Sequence, residues 1–293
     1  MAEREPSAHQ YTFDDTLSVN TPRFMDLENP DYAYMFGFLQ TDGHLSQGTG
    51  QKGKLSLEIN VRDIAILREF QRLTPYNSSI TERTRSTNFT DSHHSATWTL
   101  CSLEARTTIN QLGLPYGRKS RTIAPPRVPF SGRDYLRGVI DADGSVGYTA
   151  QGLPFISPTS ASTAVSVYLG RYAQQLTGTE RLIKRNSRDQ VYNVVYTKEA
   201  AMRLAEDLYY PGCLALERKR VSAASLASWE RPAGMKVAPP RRRWTDSEDR
   251  ILLESGNAAV TATALGRTVT SCALRLWRLR SGRVPLPPQE PGR

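Results

Sequence analysis

Apolar and polar residues alternate along the first 120 residues with two periods, one typical of strands and one typical of helices. Lys54–Asn60 alternates with a period of two, as a strand with one buried face does. In Asp63–Phe70, apolar residues at 64, 66, 67 and 70 follow the helical period. The same patterns predict further strands at His44–Thr49, Ser79–Arg85 and Ala96–Cys101, and further helices at 30–42 and Leu103–Leu112.

The same order of elements recurs in the following hundred residues. It predicts strands at Ser145–Thr149, Leu153–Thr159, Arg181–Lys184 and Val191–Tyr196, and helices at 132–143, Thr163–Leu176 and Lys198–Leu208. Prolines at 154 and 158 weaken the second of these strands, because proline cannot donate a backbone hydrogen bond. Each unit is therefore expected to run α-β-β-α-β-β-α, with a proline-containing linker at 121–130 between the two.

A nine-residue motif occurs once in each unit. Met35–Gly43 and Leu136–Gly144 share the pattern apolar, any residue, glycine, apolar, apolar, polar, small, aspartate, glycine. Their aspartates, Asp42 and Asp143, are 101 residues apart, so a unit of about that length is repeated.

The motif predicts a helix with a built-in stop. Asn29 and Ser131 are expected N-caps, and Gly43 and Gly144 stand where a helix would end with positive φ. Glycines at 37 and 138 lie inside the helices, where glycine costs about 1 kcal/mol relative to alanine and usually has a packing reason. We expect the two motif helices to touch there, which would bring the two aspartates together.

Two carboxylates held together repel each other unless they share a proton or bind a cation. Oxygen ligands without nearby histidine or cysteine suit Mg²⁺, Mn²⁺ or Ca²⁺ and not zinc, and Mg²⁺ between carboxylates and phosphates supports phosphodiester hydrolysis. The simpler alternative is that Asp42 and Asp143 each cap the turn that follows. His93 and His94 fall in a predicted loop and show none of the spacing of a histidine-based nuclease.

Charge and composition narrow the class of protein. Lysine and arginine outnumber acidic residues by 38 to 29, and the stretch 241–293 alone has ten arginines against five acids. A basic end after a nearly balanced body indicates a polyanionic partner such as nucleic acid. The scattered cysteines Cys101, Cys213 and Cys272 exclude a disulfide scaffold and a cysteine-rich zinc module. No apolar stretch is long enough for a membrane span and no signal peptide is visible, so a cytoplasmic or nucleoid-associated, non-secreted protein is expected.

The end of the chain predicts a separate helical module. Trp244–Asp249 contains a capping box formed by Thr245 and Glu248, and helices are expected from there to Leu253, at Ala258–Leu265 and at Ser271–Arg280. Three short helices with a basic last one fit a helix-turn-helix, and Trp-Thr-x-x-Glu-Asp followed by Leu-Gly-Arg-Thr resembles a Myb/SANT-like domain. Expected core residues are Trp244 and Trp277. Expected DNA-reading residues are Arg267, Ser271, Arg275 and Arg278. A helical protein-interaction module is the alternative.

The two nonapeptides resemble the LAGLIDADG motif of homing endonucleases, and the repeated element order resembles the core of that family over about 31–223. The resemblance implies that Asp42 and Asp143 bind the divalent metal, Mg²⁺ with Mn²⁺ possible, with Gly43 and Gly144 beside them. It also implies that the lysines closing each unit, Lys119 and Lys219, assist catalysis. Motif 1 has Gln40 where motif 2 has Asp141, at a position that varies in the family.

In such a fold, polar residues on the strands would contact DNA. In the first unit the candidates are Ser46, Gln47, Lys52, Lys54, Ser56, Glu58, Arg83, Arg85, Thr97 and Thr99. In the second unit they are Tyr148, Gln151, Lys184, Arg185, Arg188, Asn193 and Tyr196, and the basic linker adds Arg241, Arg242 and Arg243.

The expected architecture is α+β. An extension (1–28) precedes repeats at 29–120 and 131–228; a basic linker (229–243), a helix-turn-helix domain (244–281) and a tail (282–293) follow. The expected function is site-specific cleavage of double-stranded DNA by a monomer without an obligate protein partner, as in the homing of mobile elements. Two alternatives stay open: an inactive DNA-binding regulator of the same fold, and an intron RNA maturase.

Overall fold

The structure is a computed structural model that describes residues 23–87, 90–235 and 242–287. The chain divides into two compact units, the first ending at Arg231 and the second beginning at Pro232. The N-terminal extension up to residue 22, Arg241 and the end of the tail from residue 288 lie outside the described residues. In the part of the chain that is described, no helix has the length and apolar character needed to cross a bilayer.

The first half of the first unit has the predicted element order. It consists of α1 (Pro30–Asp42), β1 (His44–Leu45), β2 (Leu55–Asn60), α2 (Ile64–Leu73), β3 (Ser78–Thr87), β4 (Thr90–Leu100) and α3 (Leu103–Gln111). The strands form one antiparallel sheet in the order β1-β2-β4-β3. The predicted loop position of His93 and His94 is wrong. The β3–β4 hairpin extends past them, and they pair with Arg85 and Thr84.

One face of this sheet belongs to the core. Leu57 and Trp98 are opposite each other in the β2–β4 ladder, and both are fully buried. The Trp98 ring packs edge-to-face on Phe70 of α2, and Phe70 packs edge-to-face on Phe38 of α1. This aromatic row fixes α1 against the sheet, so the position of the motif helix is set by its own half of the unit.

The second half repeats the order, but its last two strands are much shorter than β3 and β4. It consists of α4 (Gly132–Asp143), β5 (Gly144–Tyr148), β6 (Pro154–Ser160), α5 (Thr163–Thr177), β7 (Tyr192–Asn193), β8 (Tyr196–Thr197), α6 (Glu199–Leu208) and α7 (Glu217–Leu226). β5 pairs with β6, and β7 and β8 both pair with β6. The predicted α+β class with two related α-β-β-α-β-β-α units is confirmed, and α7 is an addition that the pattern did not predict.

Two strand predictions in this half are wrong. Arg181–Lys184 is not a strand, and only Arg185 forms an isolated bridge, to Tyr192. The predicted strand Val191–Tyr196 is split into β7 and β8. The prolines of β6 offer carbonyls but no N–H: Pro158 accepts from Val194 N at 3.2 Å and Pro154 from Lys198 N at 2.9 Å. Because these two prolines cannot donate, β6 cannot form an unbroken ladder of hydrogen bonds with the segment that contains β7 and β8.

The motif helices α1 and α4 cross at their glycines, as predicted. A Cβ on Gly37 would lie 2.2 Å from the carbonyl oxygen of Tyr135, and one on Gly138 would lie 2.1 Å from that of Tyr34. Backbone thus touches backbone, and the two contacts are related by the repeat. Only glycine is compatible with this approach.

The ends of the motif helices differ in part from prediction. Asn29 caps α1 by accepting from the N–H groups of Asp31 and Tyr32, whereas Ser131 makes no cap bond because its hydroxyl donates to Asp134. The expected positive φ at Gly43 and Gly144 is wrong, since their φ values are −66° and −145°. The chain passes directly into β1 and β5. A Cβ would instead meet the carbonyl oxygens of the preceding turns, at 2.6 Å and 2.7 Å.

The second unit is a three-helix module: α8 (Asp246–Ser255), α9 (Ala258–Leu265) and α10 (Val269–Arg280). The capping box of Thr245 and Glu248 is present, α9 ends at Gly266 in the left-handed conformation, and Thr268 caps α10. The core contains Leu252, Ala262, Cys272, Leu276 and Leu279, with Trp244 packed against it.

The predicted core position of Trp277 is wrong. Its side chain is 46% exposed, and the Arg283 guanidinium lies 4.1 Å from its ring centre. The inward face of α10 carries Cys272, Leu276 and Leu279, and a residue next to Leu276 is turned about 100° away from that face.

Replacing Gly138 by alanine tests the helix crossing. The added Cβ meets backbone that cannot move aside, so we expect a loss of about 3 kcal/mol in the free energy of unfolding. Gly152 is the matched control, because its φ is +71° and a Cβ there meets nothing within 4 Å. Gly152→Ala is expected to cost about 1 kcal/mol through backbone strain alone. Urea unfolding of both variants measures the difference, and equal losses would contradict the crossing.

Candidate active site

The motif aspartates lie at matching ends of the crossed helices. Asp42 is the last residue of α1 and Asp143 the last of α4, and each is followed at once by the first strand of its half. Both side chains reach solvent. Partial desolvation is the main cause that raises the pKa of Asp42, and the negative charge of Asp143 adds to it. Partial desolvation also raises the pKa of Asp143. The helix crossing therefore brings the two carboxylates close enough for the charge of Asp143 to affect the pKa of Asp42.

Lys119 and Lys219 are buried at the ends of the same two helices. The Lys119 ammonium donates to the carbonyl of Gln40 at 2.6 Å and to that of Thr41. The Lys219 ammonium donates to the carbonyls of Ile140 and Asp141, both at 2.6 Å, and to that of Gly144 at 2.9 Å. Helix C-termini leave carbonyls without intrahelical partners and carry partial negative charge, so a cation is favourable there.

The two lysines and the two aspartates shift one another. Burial lowers the pKa of Lys119 and of Lys219 to about 8, and the nearby carboxylates oppose this shift. In return, both ammonium groups lower the pKa of Asp42 and Asp143 against the effect of desolvation. The four groups form one coupled cluster of opposite charges.

Five further residues lie beside the cluster and are absent from the sequence-based site: Gln40, Asp141, Tyr34, Tyr135 and Tyr209. Asp141 is 1% exposed and accepts hydrogen bonds from the hydroxyls of Tyr34 and Tyr209. Tyr34 stands three residues before the motif glycine, as Tyr135 does in the second copy, and Tyr135 donates to Gln40. The repeated tyrosine was visible in the sequence, but nothing there showed that each reaches into the opposite half.

The donor set fits a hard divalent cation. Within the described residues no group of three or more His, Cys, Asp or Glu side chains could hold a metal, and the carboxylates at the ends of α1 and α4 are those of Asp42 and Asp143. Mg²⁺ is usually held by one or two carboxylates together with waters and substrate phosphates. The carbonyl oxygen of Gly144 accepts a hydrogen bond from Lys219, so one of its two lone pairs is not available to a metal ion.

The first sheet presents its polar candidates on one face. The ladder sets Ser56 against Thr99, Glu58 against Thr97 and Arg85 against His93, all on the side opposite the core. Arg83 is exposed, whereas Arg85 is paired with Glu58 at 3.0 Å. Lys52 and Lys54 are exposed just before β2, and the Ser46 hydroxyl donates to the carbonyl of Lys54. This face is a polar surface that carries an exposed arginine, with two exposed lysines just before β2.

In the second half the candidates lie mainly outside strands. Lys184 and Arg188 are exposed on the segment between α5 and β7, where Arg188 is paired with Asp189. Arg185 lies over the Tyr192 ring and donates to the carbonyl of Gln190. Tyr148 is 41% exposed but donates to the carbonyl of Ser225. Tyr196 is fully buried, so its predicted contact with DNA is wrong.

In the helical module, two of the predicted base-reading arginines hold the fold together. The Arg267 side chain is 6% exposed, pairs with Glu248 at 2.7 Å and lies 4.0 Å from the Trp244 ring centre. Arg275 pairs with Asp249, which is buried. Arg242 and Arg243 are exposed, and Arg278 and Ser271 are partly exposed on α10. The interior pairs remove Arg267 and Arg275 from the candidates for DNA contact.

No protein-family model matches the sequence, and no curated protein matches it either. Among solved structures, the chain is similar to the meganuclease I-SmaMI bound to uncleaveable DNA (13% identity, 68% of this chain and 88% of that chain, TM-score 0.44). It is similar to the homing endonuclease I-WcaI bound to its DNA recognition sequence (10%, 67% and 87%, 0.46). It is also similar to the N-terminal LAGLIDADG domain of DUF199/WhiA (12%, 69% and 88%, 0.42). At these identities and scores the likeness assigns no activity.

The charge cluster predicts a direction for the pKa of Lys119. The Asp42 carboxylate stabilises the ammonium, so Asp42→Asn should move the pKa of Lys119 below its value of about 8. The pH dependence of the side-chain carbon shifts in a ¹³C-lysine-labelled protein reports it. Asp31→Asn, in the first turn of the same helix, is the control and should leave the titration in place. A rise of this pKa in Asp42→Asn would contradict the arrangement.

The module predicts opposite effects for two of its arginines. Arg267→Ala leaves Glu248, 7% exposed, with only the exposed Arg242 as a cationic partner, and should cost the module about 2 kcal/mol. Arg278→Ala should leave its stability unchanged, since no ion pair of Arg278 occurs in the described part of the chain. Hydrogen exchange of the α8–α10 peptides measures both. Similar exchange in the two variants would show that Arg267 is not structural.

Proposed function

We propose that the protein is a metal-dependent, site-specific endonuclease of double-stranded DNA, of the LAGLIDADG homing type. The observation that carries the proposal is the pair Asp42 and Asp143, brought together from two copies of one motif by a glycine-mediated helix crossing. Two carboxylates held close together repel each other, which is unfavourable. A cation bound between them and a phosphate would remove that repulsion.

In this proposal the aspartates would hold Mg²⁺ or Mn²⁺. When bound, such a cation supplies Lewis-acid stabilisation and an activated water for phosphodiester hydrolysis. Lys119 and Lys219 stay at the helix ends, where their positive charge opposes the raised pKa of the aspartates and keeps the carboxylates ionised. Because the pKa of each lysine is about 8, each can also hold or release a proton close to neutral pH.

The two halves offer unequal surfaces for DNA. β3 and β4 have 10 and 11 residues, whereas β7 and β8 have two each. An antiparallel ribbon fits the major groove, so the first half would read more bases directly. The second half would contribute exposed cations such as Lys184, which meet phosphates and set position more than sequence. The helical module would add a further DNA contact through its exposed arginines.

Cleavage of a pooled duplex library is the direct test. The library contains the uninterrupted version of the gene's own locus and is incubated with the protein in Mg²⁺ or in EDTA. Discrete double-strand ends that appear only with Mg²⁺ support the proposal and identify the site. Specific retention of one duplex without cutting would support a DNA-binding regulator instead. Preference for structured intron RNA would support a maturase.

Neutralising either aspartate gives the matched prediction. Asp42→Asn and Asp143→Asn keep the side-chain shape but remove the charge that would hold the cation. We expect cleavage to fall by about a thousandfold or more, while affinity for the same duplex in Ca²⁺ changes little. Asp31→Asn on the same helix should cut as the unchanged protein does. Double-strand cleavage retained in either motif variant would refute the assignment.

A further inference from the structure

The sixth residue of the first motif holds the segment that carries Lys119. The Gln40 side chain is fully buried, and its amide nitrogen donates to the carbonyl of Gly113 at 2.9 Å and to that of Ala124 at 3.1 Å. These two carbonyls lie on either side of Lys119 in sequence. The Lys119 ammonium donates to the backbone carbonyl of the same glutamine at 2.6 Å. Gln40 thus fixes both ends of the 113–124 segment and the lysine between them.

The sixth residue of the second motif does the same with different chemistry. The carboxylate of Asp141 accepts from the Tyr209 hydroxyl and from the Leu216 N–H, both at 2.7 Å. Leu216 is the N-cap residue of α7, the helix that carries Lys219. The Lys219 ammonium donates to the carbonyl of Asp141 at 2.6 Å. A neutral amide donor in one half therefore matches a charged acceptor in the other.

A tyrosine from the opposite motif helix completes each of these contacts. The Tyr34 hydroxyl donates to Asp141 and the Tyr135 hydroxyl to Gln40, each at 2.8 Å. Both tyrosines also give the carbonyls that touch the opposite glycine. The helix of one half is thus connected, through one buried side chain, to the lysine segment of the other half.

We propose that Gln40 and Asp141 are positioning residues, each of which orients the lysine of its own half for the cut made on one DNA strand. Tyr34 and Tyr135 then connect each lysine segment to the other half. The proposal rests on the endonuclease function proposed above. Since the two residues have opposite hydrogen-bonding chemistry, each half can be disturbed separately, and a single change should turn a double-strand cutter into a strand-specific nickase.

Two conservative variants test this. Asp141→Asn removes the charge and leaves one acceptor oxygen for three donors, so it should weaken the contacts with Tyr209 and Leu216 and loosen the 209–219 segment. Gln40→Glu places a carboxylate against the carbonyls of Gly113 and Ala124 and should release the first segment. Supercoiled plasmid carrying the target is cut with each variant, with the strands labelled separately. We expect one strand to be cut about tenfold more slowly than the other, so that nicked circles accumulate, with opposite strands affected in the two variants.

Two tyrosine variants separate positioning from general loss of stability. Tyr34→Phe removes only the hydrogen bond from the Tyr34 hydroxyl to Asp141. It should shift the strand ratio in the same direction as Asp141→Asn, with unchanged affinity for DNA. Tyr32→Phe is the control, because its hydroxyl donates to the carbonyl of Leu73, outside both lysine segments. It should leave the strand ratio as in the unchanged protein.

Hydrogen exchange of the metal-free, DNA-free protein gives a readout independent of cleavage. Asp141→Asn should speed exchange in 209–219 and not in 113–124, and Gln40→Glu should do the reverse. Equal slowing of both strands by each variant, or exchange unchanged in both segments, would overturn the proposal. If the unchanged protein cuts no DNA while exchange responds as expected, the endonuclease function fails and the orienting role of Gln40 and Asp141 in the lysine segments stands.

Discussion

Everything at the candidate site follows from the contact between two glycines and two tyrosine carbonyls. Gly37 and Gly138 let the α1 and α4 backbones touch, and no other residue could stand at either position without moving a helix. The crossing brings the helix ends together, and those ends carry Asp42 and Asp143. It also places each tyrosine hydroxyl within reach of the opposite half. Close packing of backbones thus determines the distribution of charge.

Negative and positive charges oppose each other at the helix ends. Two aspartates raise the local negative potential, and each helix C-terminus adds to it. Lys119 and Lys219 enter this potential from segments outside the motifs, and burial keeps their pKa near 8 instead of the usual value above 10. Both lysines are therefore close to a change of protonation near neutral pH. Ionisable groups with shifted pKa values are typical of sites where protons or charges move during a reaction.

Much of the fold could be predicted from the sequence because the repeat and the periodicities report local geometry. The motif glycines predicted the helix contact, and the alternation in Lys54–Asn60 predicted a strand. The failures have long-range causes. Arg181–Lys184 has strand-like residues, but the segment that bridges to its neighbour Arg185 is itself split into β7 and β8, and Arg267 is basic but pairs with Glu248. Asp42 and Asp143, the proposed metal ligands, were visible in the sequence because they belong to the motif. The contacts of Lys119 and Lys219 depend on partners about 80 positions away in the sequence.

The two glycine contacts are equivalent under exchange of the halves, so this interface has the form of a twofold dimer contained within one chain. In a true dimer the assembled site would depend on protein concentration, and both surfaces would carry the same residues. In a single chain the association of the two halves is intramolecular, so the site does not depend on protein concentration. Each half can also have its own sequence. The two halves of this chain do differ: β3 and β4 are long, whereas β7 and β8 are short. A chain of this kind can match a ligand that has no twofold symmetry.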